Sequence, residues 1–143
     1  MATITKTISI DAPPEKVFAY IDEPSNNIDW IVGMTDMRDL VGAGVGRHFQ
    51  WTFKMAGLPL KGESTTVEHV ASKRLVTKSK GGIVSTWSAD LESEGEGTKL
   101  TMEIDYTIPV PVLGKLAENL VLKRNESELE LSLQNIKDAV EAG

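Results

Sequence analysis

Residues 83–108 read IVSTWSADLESEGEGTKLTMEIDYTI. Ile83, Ser85, Trp87, Ala89 and Leu91 alternate with Val84, Thr86, Ser88 and Asp90. Past Gly95 and Gly97 the same rhythm resumes, with Leu100, Met102, Ile104, Tyr106 and Ile108 set against Thr101, Glu103 and Asp105. A period of two sends alternate side chains to opposite faces of an extended chain. Two such runs joined by a glycine turn predict a hairpin with one apolar face and one wet face.

The pattern extends upstream. Phe49, Trp51, Phe53 and Met55 share one face of a strand whose other face carries His48, Gln50, Thr52 and Lys54. Turn residues at Gly42, Gly44, Gly46, Gly57, Pro59, Gly81, Gly82, Gly95 and Gly97 divide 34–108 into about six strands, each on the order of 6 to 11 residues. A further strand opens the chain, where Ile4, Ile8 and Ile10, with Lys6 as the odd member, alternate with Thr3, Thr5, Thr7 and Ser9. Asp11-Ala12-Pro13-Pro14-Glu15 then reads as a helix start, because proline in the first turn gives up no hydrogen bond and Glu15 suits the positive dipole end. Val17, Phe18 and Ile21 make that helix's buried face, and a second short helix after Pro24-Ser25 carries Ile28, Trp30 and Ile31 before Gly33 stops it.

Downstream, Pro109 and Pro111 end the sheet, and Leu113 to Ala142 reads as one helix of roughly 45 Å. This order of elements predicts an α+β fold: a curved seven-stranded antiparallel sheet around a long C-terminal helix, with two short helices after strand one. Within the helix, Leu122, Leu129, Leu133, Ile136 and Val140 form a narrow stripe suited to lying on a sheet. Leu113, Leu116, Ala117, Leu120 and Leu131 fall roughly opposite it. Either the helix kinks or restarts near Arg124 and Asn125, or the second set is an apolar patch for a protein partner or membrane surface.

The chain has 143 residues and a mass of 15.6 kDa, room for one core, so one domain over residues 1–143 is expected. Without cysteine, disulfides, thiolate nucleophiles and cysteine-bound zinc are excluded together. A net charge of -6 argues against nucleic acid, whose phosphates draw on clustered Lys and Arg. Residues 1–10 lack the basic start and apolar block of a signal peptide, and no apolar run approaches the roughly 20 residues of a spanning helix. A cytoplasmic protein without a transmembrane segment is the expectation.

Few residues carry recognisable chemistry. Gly42-Ala43-Gly44-Val45-Gly46 has its third glycine one residue early for a dinucleotide loop and precedes a strand, so it reads as a hairpin loop. His48 and His69 are the only imidazoles, and no carboxylate-histidine spacing resembles a metal ligand set. Acid or base work could fall to Glu63, Glu68 or His69 if the register turns them inward. No serine has a nucleophile-elbow context, and Asn125-Glu126-Ser127 is a glycosylation match without a secretory setting. The bulky inward face is more informative: Phe49, Trp51, Phe53, Met55, Trp87, Met102 and Tyr106 outsize a minimal core and suggest a cavity, with Ser85, Tyr106 and Asn125 as its polar groups.

Ile8-Ser9-Ile10-Asp11-Ala12-Pro13-Pro14-Glu15-Lys16-Val17-Phe18-Ala19-Tyr20-Ile21, followed by Trp30 after a short helix, resembles the opening of the SRPBCC or START-like superfamily. The stretch Glu128-Leu129-Glu130-Leu131-Ser132-Leu133-Gln134-Asn135-Ile136-Lys137 is similar to that superfamily's final helix. The resemblance spans nearly the whole chain and implies a helix-grip fold with a hydrophobic cavity between sheet and helix. Superfamily members include polyketide cyclases and aromatases, lipid and sterol carriers, plant hormone binders, quinone binders and a group associated with carbon monoxide dehydrogenase. No cyclase residue set maps onto numbered positions here.

The expected function is therefore binding or transport of a hydrophobic small molecule (lipid, quinone or polyketide-like), without cofactor, metal or assigned catalytic residue. The candidate lining residues from the sheet and cap are Trp30, Phe49, Trp51, Phe53, Met55, Ser85, Trp87, Met102, Ile104 and Tyr106. Asn125, Leu129 and Leu133 join them from the helix. A polyketide cyclase or dehydratase is the alternative, and an assembly partner acting through Leu113, Leu116 and Leu120 is a second one.

Overall fold

The first two strands of the chain lie at opposite edges of one sheet, and every other strand runs between them. A computed structural model describes residues 2–55, 57–107 and 115–143, with side chains of the last helix described from residue 123 onward. Seven strands, β1 (Ala2–Ile10), β2 (Met34–Val41), β3 (His48–Met55), β4 (Leu58–Val70), β5 (Arg74–Gly81), β6 (Val84–Glu94) and β7 (Gly97–Thr107), form one antiparallel sheet in the order β1-β7-β6-β5-β4-β3-β2. Helices α1 (Pro14–Ile21) and α2 (Asn27–Trp30), joined by a 3-10 turn at Pro24–Asn26, follow β1, and α3 (Lys115–Ala142) closes the chain. This is the helix-grip arrangement, a curved sheet holding a long helix.

Local causes are legible in each element. Pro14 occupies the first turn of α1, and Val17, Phe18 and Ile21 are its buried side. The Glu23 side chain accepts a hydrogen bond from the Ser25 N–H and fixes the 3-10 turn. Helix α2 ends at Trp30, with Ile31 already extended, so Gly33 does not stop it; Gly33 turns the chain into β2 with φ +102°, a conformation that β-carbons disfavour, and a Cβ there would stand 2.8 Å from the Phe53 ring. Another expectation is corrected: Pro59 does not divide two strands but lies inside β4, which runs 13 residues. Its missing N–H costs no ladder bond to β5, because β5 pairing reaches only as far as Gly62 opposite Gly81.

Helix α3 runs unbroken through Arg124 and Asn125, so it does not restart there. It lies along β1 and against α1 and α2. Lys6 pairs with Glu130 (2.9 Å), the Lys137 ammonium donates to the Ser9 carbonyl (3.0 Å), and the Asp11 N–H donates to the Glu141 carboxylate (2.8 Å). Leu129, Leu133, Ile136 and Val140 face inward as the stripe requires, while Leu131 is exposed. Leu113, Leu116 and Leu120, the expected contact patch, lie outside the residues whose side chains are described. Among the described residues no helix is long and apolar enough to cross a membrane.

Candidate functional site

Among the described residues α3 lies along β1, at one side of the sheet, rather than along β3 to β5. The space over the concave face is roofed by α1, the 3-10 turn and α2, and it holds a cavity of about 140 Å³. A single water needs roughly 10 to 15 Å³ by that measure, so the void exceeds a water site by about tenfold. Its wall is mostly carbon: Ile4, Ile21, Trp30, Ile31, Met34, Phe49, Trp51, Phe53, Met55, Leu75, Ile83, Trp87, Ala89, Met102, Ile104 and Leu129 all contribute.

The strand register explains which side chains arrive there. Phe49 is level with Ser64, Ser64 with Ser79, Ser79 with Ser85, and Ser85 with Tyr106, so one inward row crosses β3 to β7. The next row runs from Thr66 to Thr77, Trp87 and Ile104. Trp51 lies on the other side of the serine row, opposite Gly62. A Cβ at Gly62 would collide with the Trp51 ring, so the bare glycine backbone is the surface on which that indole lies. Trp87 meets Trp30 of the roof edge-on, with centroids 6.0 Å apart at 69°.

Of the sequence-derived candidates, Trp30, Phe49, Trp51, Phe53, Met55, Ser85, Trp87, Met102, Ile104, Tyr106, Asn125 and Leu129 line the cavity. Leu133 does not; it is buried in the solid core one helical turn beyond Leu129. Glu63, Glu68 and His69 do not line the cavity either, although His69, opposite Leu75, is on the inner face. Glu63 stands 3.7 Å from Lys80, Glu68 pairs with Arg74 (2.8 Å), and His69 Nε2 lies 3.0 Å from Asp22 Oδ2 with Phe18 edge-on to its ring. His48 is half-buried with Nδ1 3.2 Å from the Gly46 carbonyl oxygen. Among the described residues no group of three His, Asp or Glu could hold a metal.

Sequence reading missed several polar wall residues: Asn27, Arg47, Ser64, Thr77, Ser79, Glu128 and Ser132. Arg47 was findable, since it continues the parity of Phe49, Trp51 and Phe53 by one step. Its guanidinium donates to the Asp22 carbonyl (2.8 Å) and pairs with the Asp22 carboxylate (3.0 Å), tying β3 to the junction between α1 and the 3-10 turn. The roof is fastened to α3 as well, through the Val32 N–H to Ser132 Oγ (3.0 Å) and Asn135 Nδ2 to the Trp30 carbonyl (3.3 Å). Asn125 Nδ2 donates to Tyr106 Oη (2.9 Å). Burial raises the Tyr106 phenol above its ordinary value, against the lowering effect of that hydrogen bond, so it stays protonated at neutral pH.

An apolar chamber under a short-helix roof, closed on one side by the terminal helix, is an arrangement with known relatives. The chain matches, over residues 1–141, the family described as polyketide cyclase / dehydrase and lipid transport. It belongs to that family. Among solved structures it is similar to TTHA0849 from Thermus thermophilus, with 20% identity, a TM-score of 0.86, and 99% of this chain and 98% of that one covered. It is also similar to CV1439 from Chromobacterium violaceum, with 20% identity, a TM-score of 0.75 and 99% of each chain covered. A third is the di-domain ARO/CYC BexL from the BE-7585A biosynthetic pathway, with 20% identity and a TM-score of 0.77, where 99% of this chain matches 50% of that one. At such identities these likenesses speak to the fold alone. Among curated proteins none matches the chain in sequence. For this member of the polyketide cyclase / dehydrase and lipid transport family, the family itself supports hydrophobic-ligand binding or cyclase chemistry as a class.

Proposed function

We propose that the protein is a carrier or sensor that encloses a hydrophobic small molecule, lipid, quinone or polyketide-like, in the cavity beneath α1 and α2. The observation that carries this reading is the void itself: about 140 Å³ between sheet and roof with indole, phenyl and thioether groups around it. A guest there is stabilised by apolar area removed from water, about 25 cal/mol per Å² before the costs of ordering. Trp30, Trp51, Phe53, Trp87, Met102 and Leu129 supply most of that contact, and Ser85, Tyr106 and Asn125 orient the guest. Organic extraction of the purified protein is expected to release an apolar compound by mass spectrometry, and an environment-sensitive dye is expected to bind and to be lost on Trp87→Ala. Empty extracts together with failure of every member of an apolar library to bind would remove the reading.

One observation favours a second reading. Glu128 is the acidic residue among those lining the cavity, its carboxylate accepting from Arg124 Nε at 3.1 Å, and a cyclase or dehydratase acting on an aromatic precursor needs one group there to move a proton. The expected signature is turnover of a poly-β-ketone surrogate that Glu128→Gln abolishes while dye binding persists. Absence of any turnover by the unsubstituted protein rejects it.

A further inference from the structure

The inward row Ser64, Ser79, Ser85 and Tyr106 places one hydroxyl on each of four successive strands at the same level of the cavity wall. Such a band is costly in an apolar interior unless every hydroxyl is occupied. Ser64 Oγ and Ser79 Oγ lie 2.7 Å apart and share one hydrogen. Tyr106 Oη accepts from Asn125, which leaves its own hydrogen undirected. Ser85 is only 7% exposed and, among the described residues, has no side-chain hydrogen-bond partner although it faces the cavity.

From four hydroxyl hydrogens, one is therefore committed and three are left to donate. The backbone groups nearby are engaged in the β-ladder and offer few acceptors. No side chain in the row is ionised at neutral pH, so the band suits an uncharged acceptor. Trp51 stands on one side of the row and Trp87 on the other, each two residues along its own strand from the row's member, Phe49 and Ser85 respectively. A flat or elongated apolar body lying between the indoles puts an oxygen on its edge against the hydroxyls.

We propose that the guest carries an uncharged carbonyl-type oxygen, ketone, quinone or ester, and that Ser85 and Tyr106 are the donors that recognise it, with Ser64 and Ser79 completing the band. This deepens the hydrophobic-guest reading and rests on it. A hydrocarbon of equal shape would leave the donors unpaired, and a neutral hydrogen bond shifts affinity by about five- to tenfold.

The test measures calorimetric affinities of the full chain for fluorene and 9-fluorenone, which differ by one carbonyl, and repeats them with Ser85→Ala and with Tyr106→Phe. The ratio of fluorenone to fluorene affinity is expected to fall about fivefold in each variant. Two substitutions that each delete one hydroxyl and little volume keep the result independent of any one variant's folding. Binding of both probes with a ratio that neither substitution moves overturns the carbonyl site and leaves the apolar carrier standing. Failure of both probes to bind the unsubstituted protein overturns the carbonyl site, and the carrier reading falls with it only if the organic extracts are also empty and every member of the apolar library fails to bind.

Discussion

The same sheet supports two interiors. At the level of Ile8, Leu100 and Leu91, the C-terminal half of α3 and the buried side of α1 come down on the strands, and the result is solid: Leu100, Val17 and Ile136 are all at 0% exposure. At the level of Phe49, Ser85 and Tyr106, toward β3 and β4, the cover of the concave face among the described residues is the short roof with the Asn125 to Leu129 turn of α3 at its side, and the result is a void. The difference lies in where α3 is anchored. Lys6, Ser9 and Asp11 of β1 and its continuation hold it through Glu130, Lys137 and Glu141, which keeps it away from β3 and β4. Curvature then opens a gap that side chains of ordinary size do not close.

Two leucines one turn apart on α3 give the strongest test of that contrast. Leu133 is in the solid part and Leu129 on the cavity wall, both nearly fully buried. Leu133→Ala creates a new hole and is expected to cost about 4 kcal/mol in urea unfolding, whereas Leu129→Ala enlarges an existing one and is expected to cost about 2 to 3 kcal/mol. Equal losses would mean the two interiors are packed alike.

Adding volume should again cost more at the dense end than at the cavity. Ala12 sits in the dense end, where its carbonyl accepts a 2.7 Å hydrogen bond from the fully buried Thr98 hydroxyl. Ala12→Leu is expected to destabilise by about 1 to 3 kcal/mol, while Ala89→Leu, on the cavity wall, is expected to cost less than about 1 kcal/mol and to displace bound dye. Calorimetric melting of both variants checks the sign of the difference.

The anchor of α3 yields the smallest effect and a pH signature. The Glu141 carboxyl is held below its ordinary value, chiefly by the Asp11 N–H and then by Lys137. A depressed value in the folded state stabilises fully above the unfolded value and is lost as pH falls through the folded one. Glu141→Gln is thus expected to lower the melting temperature slightly at pH 7, with the difference closing below about pH 4. A difference that persists in acid would place the contribution in packing.

How much of this is legible in the sequence follows the strength of alternation. Strands β3 and β7 carry large apolar residues at nearly every second position, and β6 puts Trp87 and Leu91 on one parity, so their wall residues can be assigned from parity alone. Strand β5, RLVTKSKG, alternates weakly, and β4 is shifted by a bulge between Thr66 and Glu68, so Ser64, Thr77 and Ser79 become wall residues only through pairing. The same bulge shifts parity so that His69, opposite Leu75, comes onto the inner face, where it meets Asp22 and Phe18 of the roof and not the cavity. Helical periodicity puts Leu129 and Leu133 on one stripe but carries no information on where along it the sheet stops touching. Pro59 reads as a boundary because ladder register, invisible in one sequence, decides whether a strand tolerates proline.

Pressurising crystals of the protein with xenon asks directly whether the interior is unfilled and apolar. An ordered xenon atom is expected between Trp51 and Trp87 under the roof, and none near Leu100 or Ile136. Density showing a closed, fully packed wall with no gas bound at that position would contradict the two-interior picture.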